Sequence, residues 1–146
     1  MKLKIVFAFV LGTGFFLNTS TQVNAQYTSE LYVEGINVPW GMAWLPNGDL
    51  LVTERAGGLF LIRNGEIAAE IGGLPTDIHA NGQGGFLDVE VHPNYENNGW
   101  IYFSYSSSAG AEDGSNTAII RAKLQNNTLS NIETLYKGTP NSGRVV

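Results

Sequence analysis

One pattern constrains this chain more than any other: two stretches share the same punctuation at the spacing of a folded unit. Ala43-Trp44-Leu45-Pro46-Asn47-Gly48 leads into Leu50-Leu51-Val52-Thr53, and Glu90-Val91-His92-Pro93, then Asn98-Gly99, leads into Ile101-Tyr102-Phe103-Ser104. The prolines lie 47 residues apart and the glycines 51. Around each copy, short apolar runs alternate with Gly, Asn, Asp and Pro clusters, and no segment holds a 3.6-residue period. Strands are expected at 40–45, 49–54, 58–63 and 66–71, and again at 85–92, 99–106, 116–124 and 129–136. The turns between the first four are Pro46-Asn47-Gly48-Asp49, Arg55-Ala56-Gly57 and Asn64-Gly65. Asn-Gly is a strong hairpin signal because both residues tolerate positive φ.

Four-stranded antiparallel units recurring at this spacing define an all-β chain, read as blades of a β-propeller. An eight-stranded sandwich is the competing arrangement, but it predicts no blade-scale repeat. Propellers close with about 4–8 blades. Only two are written here, and Gly143-Arg144-Val145-Val146 reads as the opening of a third. The expectation is therefore the N-terminal part of a longer propeller, since two unclosed blades would leave apolar faces bare.

The first 25 residues read as a signal peptide. Lys2 and Lys4 precede the apolar IVFAFVLGTGFFL, a polar NTSTQ follows, and Val23-Asn24-Ala25 offers small residues for cleavage before Gln26. The apolar run falls short of the roughly 20 residues that span a bilayer. Residues 26–146 then form the exported part, placed in the periplasm or outside the cell, with no membrane span after signal removal. There is no Cys, which excludes a disulfide framework and a lipid-modified cysteine. The leader takes two of the 8 basic residues and no acid, so six bases remain against 13 acids, a net charge of −7. That balance argues against nucleic acid and anionic membranes as partners.

Candidate chemistry is sparse. Along 86–92, alternation puts Leu87, Val89 and Val91 on one face and Phe86, Asp88, Glu90 and His92 on the other. Asp88, Glu90 and His92 could in principle ligate a metal, but a histidine before Pro93 at a strand end more commonly braces a turn. The only other histidine is His79, and the serines at 104, 106, 107 and 108 lack a nucleophile-elbow pattern. Asn126-Asn127-Thr128 reads as a glycosylation acceptor or simply as a turn. Gln83 stands out. It sits among Gly82, Gly84 and Gly85 on the loop entering the fifth strand, and its amide offers a donor and an acceptor to a polyhydroxylated ligand. The same residue could equally cap its own loop by bonding to backbone.

These residues carry a resemblance. Pro39-Trp40-Gly41-Met42-Ala43-Trp44-Leu45-Pro46-Asn47-Gly48-Asp49 with Thr53-Glu54-Arg55 resembles the first blade of the pyrroloquinoline-quinone-dependent sugar dehydrogenases of the soluble glucose/sorbosone type. Gly82-Gln83-Gly84-Gly85-Phe86-Leu87-Asp88-Val89, His92-Pro93 and Asn98-Gly99-Trp100-Ile101-Tyr102 are similar to the second, and the likeness runs from about Leu31 to Lys137. It implies a six-bladed propeller that oxidises an aldose at its anomeric carbon, with pyrroloquinoline quinone taking the hydride, a histidine as base and calcium assisting. The family's glycine-loop glutamine lies in the active site, a role that falls on Gln83. The catalytic histidine does not carry over: Gly138-Thr139-Pro140-Asn141-Ser142-Gly143-Arg144 has Pro140 near its place. Calcium ligands and cationic quinone contacts belong to later blades, so no metal ligand is assigned here. The resemblance leaves the sugar and the electron acceptor unidentified. The competing reading is a non-catalytic propeller fragment that binds a sugar or a protein.

Overall fold

The structure is a computed structural model that describes residues 27–110 and 114–138. Two compact units divide the chain. Of Met1–Glu30, residues 27–30 are described and carry no regular element; Leu31–Val146 holds both sheets. The expected leader and the segment around Pro140 lie outside the described residues.

Eight strands form two four-stranded antiparallel meanders. The first sheet runs β1 (Pro39–Trp44), β2 (Leu50–Glu54), β3 (Gly58–Arg63) and β4 (Glu66–Glu70). The second runs β5 (Phe86–Val91), β6 (Trp100–Ser107), β7 (Asn116–Gln125) and β8 (Thr128–Lys137), with one helical turn, α1 (Tyr95–Asn98), between β5 and β6. These are two propeller blades. The turns follow their residues. Asn64 (φ 53°) and Gly65 (φ 80°) close β3–β4, and Asn126 (φ 49°) and Asn127 (φ 57°) close β7–β8, each a two-residue left-handed loop of the kind that matches strand twist. Asn126-Asn127 is thus a hairpin turn in the structure. α1 was not expected; four residues are too few to show a helical period, and Gly99 ends it in the left-handed region at φ 68°.

The blades stack on a shared core. Leu51, Leu59, Leu61 and Ile71 of the first pack with Phe86, Val89, Ile101, Phe103, Ile120 and Leu129 of the second, all buried. A smaller cluster, Leu50, Val52 and Ile62, covers the other face of the first blade beneath Val33 and Ile36. The strands β1 and β5 meet so closely that a Cβ on Gly41 would lie 2.9 Å from the Asp88 Cα and from the Leu87 carbonyl oxygen.

Strict alternation fails at one place. A bulge between Phe86 and Val89 shifts the pairing of β5 with β6, so Phe86 and Val89 both point into the core. Phe86 is fully buried and stacks on Phe103 at 5.3 Å, rather than sharing a face with Asp88 and Glu90. The first blade has its bulge at the matching place, between Pro39 and Met42. In each, the amide released by the bulge finds a hydroxyl on the next strand: Gly41 N–H donates to Thr53 Oγ1 at 2.9 Å, and Asp88 N–H to Ser104 Oγ at 3.2 Å. Asp88 lies 47 residues after Gly41, and Ser104 lies 51 after Thr53. These are the two offsets of the sequence repeat, so the copies share a hydrogen-bonding device as well as a pattern.

Candidate functional site

The segment between β4 and β5 carries Gln83, and it is held by backbone bonds and by the side chain of Asp77. Its outer half is zipped to the end of β6: Ser108 N–H donates to the Asp77 carbonyl (2.8 Å), His79 N–H to the Ser106 carbonyl (2.7 Å), and Ser106 N–H to the Gly85 carbonyl (2.8 Å). The Asp77 carboxylate accepts from Ser107 Oγ and, at 3.3 Å, from the Tyr105 hydroxyl, with Lys137 Nζ 4.0 Å away. Burial, and then the Asp77 charge, raise the Tyr105 hydroxyl above its ordinary pKa, so it stays a donor at neutral pH.

The inner half is held by the first blade. Arg55, just past β2, donates from its guanidinium to the Gly82 carbonyl and accepts the Phe86 N–H on its own carbonyl at 2.9 Å. One residue therefore grips the chain on both sides of Gln83. The grip needs Gly85: at φ 153° its missing Cβ would fall 2.1 Å from the Arg55 carbonyl oxygen. Gly82 sits at φ 57° and Gly84 N–H donates to the Asn81 carbonyl at 2.8 Å, closing a tight turn with Gln83 at its tip. The glycines thus meet backbone demands, and the turn displays Gln83 at its tip beside the exposed Asn81.

Gln83 is exposed, and among the described residues its amide has no hydrogen-bond partner. The backbone cap that spacing allowed is not formed; the turn closes through Gly84 instead. His79 lies beneath the loop with Nε2 buried and unpartnered among the described residues, and its carbonyl is 3.0 Å from where a Gly84 Cβ would stand. His92 braces the turn after β5. Its Nδ1 accepts from Asn94 N–H at 2.9 Å, and its ring stacks on Tyr102. Asp88 and Glu90 are exposed, and no three acidic, His or Cys residues are grouped to hold a metal among the described residues. A hollow of about 560 Å³ lined by Leu74, Asp77, Tyr105, Ile132 and Lys137, and one of about 380 Å³ lined by Leu45, Asn47 and Tyr95, do not include Gln83.

The sequence singles out Gln83 but not Arg55 or Asp77. Arg55 stood in the quoted Thr53-Glu54-Arg55 as part of a motif, and only the fold shows that it reaches across blades. Asp77 follows a turn and carries no short-range signal.

Two stacked four-stranded antiparallel blades define part of a propeller. The family model for glucose/sorbosone dehydrogenase matches residues 36–145, and the chain belongs to that family. It is 31% identical over 115 residues to the aldose sugar dehydrogenase YliI of Escherichia coli, covering 76% of this chain and 30% of that protein. The apo structure of the soluble aldose sugar dehydrogenase of E. coli superposes with a TM-score of 0.70 at 31% identity, over 79% of this chain and 34% of that one. The pyrroloquinoline-quinone-bound aldose sugar dehydrogenase of Streptomyces coelicolor superposes at 0.62 with 26% identity, over 76% and 33%. The chain spans under a third of the length of the curated relatives it matches.

Proposed function

We propose that this chain is the N-terminal part of an exported, quinone-dependent sugar dehydrogenase that oxidises an aldose at its anomeric carbon. The observation that carries the reading is the unpartnered Gln83 amide, held out on a turn that two blades grip. A free amide on a rigid frame donates and accepts without first breaking bonds of its own, which suits a hydroxyl- or carbonyl-bearing ligand. Family membership supplies the reaction class. The solved relative bound to pyrroloquinoline quinone supports that cofactor.

Gln83 fits one polar contact of such a site and no more. Arg55 commits one guanidinium nitrogen to the Gly82 carbonyl, and no quinone contact is assigned to it. Calcium, if used, would draw its ligands from outside the described residues, and no step is assigned to it here. When bound, the quinone supplies the acceptor for the anomeric hydride. In this chain, Gln83 orients the polar group it meets and Arg55 holds Gln83 still. No base is assigned: Pro140 has no titratable side chain, His92 is bound up in its turn, and nothing puts His79 beneath the loop in that role. The polarity of residues 1–25 supports export with cleavage before Gln26, and residues 26–146 as the start of the propeller. Among the described residues no helix is long and apolar enough to cross a membrane.

The test is dye-linked aldose oxidation by the complete product of the coding sequence, with pyrroloquinoline quinone and calcium added. Gln83→Ala should lower kcat/KM about tenfold to a hundredfold, the loss of one or two hydrogen bonds to a bound polar group, with little change in melting. Unchanged kinetics would remove Gln83 from the site, and a complete product that binds an aldose yet never oxidises it would replace this reading with the non-catalytic one.

A further inference from the structure

Four Asn-Gly dipeptides punctuate the chain, at 47–48, 64–65, 81–82 and 98–99. Asn-Gly is the peptide sequence most open to spontaneous deamidation, because glycine leaves its own nitrogen free to attack the neighbouring side-chain amide. In that reaction the Gly nitrogen bonds to the Asn side-chain carbonyl carbon, ammonia leaves, and a cyclic imide forms. Water then opens the ring to aspartate or isoaspartate. Two things retard it in a fold: a hydrogen bond on the attacking N–H or the side-chain amide, and a backbone held away from the ring-closing rotation.

Three of the four sites are protected in one of these ways. At Asn47, the Gly48 N–H donates to the Leu45 carbonyl at 2.9 Å, and the amide side chain bonds to Asp49 through both its nitrogen and its oxygen. At Asn98, the Gly99 N–H donates to the Tyr95 carbonyl at 2.7 Å, while the side chain meets His92 Nδ1 and accepts the Trp100 N–H, each at 2.9 Å. At Asn64, the residue is fixed in the left-handed region at φ 53° inside a two-residue hairpin, with Arg63 paired to Glu66 and the Tyr32 carbonyl lying over Gly65. Ring closure there requires the hairpin to open.

Asn81 lacks the hydrogen bonds that protect Asn47 and Asn98 and is not fixed in the left-handed region as Asn64 is; its own carbonyl accepts Gly84 N–H, which leaves both reacting groups free. Both Asn81 and Gly82 are exposed, and among the described residues neither the Asn81 side chain nor the Gly82 N–H has a partner. We infer that Asn81 is the modification site of this fold: a spontaneous, water-driven deamidation centre in the turn that displays Gln83. Conversion to aspartate puts a negative charge two residues before Gln83. Conversion to isoaspartate also routes the backbone through the Asn81 Cβ, adding one methylene ahead of the link to Gly82 and turning the carbonyl that accepts Gly84 N–H into a free carboxylate, while the Gly82 carbonyl that accepts Arg55 stays in the chain. The inference does not depend on the sugar reading, since its test reads mass and not activity.

The test ages the purified chain at mildly alkaline pH and maps its peptides by mass spectrometry, with isoaspartyl methyltransferase labelling to mark the rearranged product. Asn81 should convert at least about fivefold faster than Asn47, Asn64 or Asn98, the retardation expected of one protecting hydrogen bond. A parallel sample in concentrated urea should show the four rates drawing together, because the protection belongs to the fold. Faster conversion at any of the other three in the folded chain overturns the inference. So does a ranking that survives in urea unchanged.

Discussion

The bulge-and-hydroxyl device lends itself to a quantitative test at Thr53, which is fully buried. Its Oγ1 accepts the Gly41 N–H at 2.9 Å and lies within reach of two carbonyls, Leu87 across the blade interface and Gly41 at 3.3 Å. Thr53→Val keeps the shape and removes every one of these bonds. The Gly41 N–H, freed from the strand ladder by the bulge, then has no acceptor, and the Leu87 carbonyl loses its donor. A buried orphan costs about 1–3 kcal/mol, so two cost roughly 2–6. The added methyl returns about 0.8 kcal/mol of burial, leaving a net loss of about 1–5 kcal/mol. Against a stability of about 5–15 kcal/mol for a whole domain, that is a large share. Thr53→Ser, which keeps the hydroxyl and loses only a methyl, should cost about 1 kcal/mol. Ser104→Ala removes the equivalent bond in the second blade, but that one is exposed, and water replaces it at well under 1 kcal/mol. Urea titrations with unchanged m-values measure all three. A valine variant as stable as the parent, or a serine variant weaker than the valine one, would show that the buried hydroxyl does not join the blades.

Three further outcomes are expected. Arg55→Met should leave the melting temperature nearly unchanged while speeding hydrogen exchange at Gly84 and Phe86, because it loosens the turn rather than the core; equal exchange in both proteins would refute the grip. Asp49 is buried beside Arg63, whose guanidinium bonds to it at 2.8 and 2.6 Å and holds its carboxyl below the usual carboxylate range despite burial. A depressed folded pKa contributes stability above the unfolded value of about 3.9 that is lost as pH falls through the folded one, so Asp49→Asn should flatten the acid limb of the stability–pH curve, and an unaltered limb would count against the pair. Trp40, Met42 and Trp44 on β1 are 45%, 70% and 56% exposed, an apolar row that should drive self-association of the 146-residue polypeptide. Sedimentation velocity should then find Met42→Glu less associated than the parent, and identical profiles would refute it.

The strands were legible because their boundaries are chemical. Gly57, Asn64-Gly65 and Asn126-Asn127 take backbone angles that other residues resist, and each marks a strand end to within a residue or two of the expected place. The face of Phe86 was not legible. Alternation presumes an unbroken ladder, and one extra residue between Phe86 and Val89 reverses the side on which the earlier side chain falls. The repeat held the missing information. Thr53 and Ser104 occupy equivalent places, and two hydroxyls at a strand position opposite a suspected bulge are the acceptors that such a bulge requires.

The site divides along the same line. Gln83 could be found from sequence because local chemistry singled it out: a polar side chain between glycines has either to display itself or to bond to its own loop. Which of these it does depends on what else closes the turn. Here Gly84 N–H closes the turn on the Asn81 carbonyl, and the Arg55 guanidinium and carbonyl hold the chain on both sides, so the turn stands without a bond from the amide. The two Arg55 groups lie 27 and 31 residues before the groups they meet, and no periodicity links them. The free amide therefore depends on a contact between blades. A change that separates the blades, such as a side chain at Gly85 set 2.1 Å from the Arg55 carbonyl oxygen, should disable the turn without touching Gln83 itself.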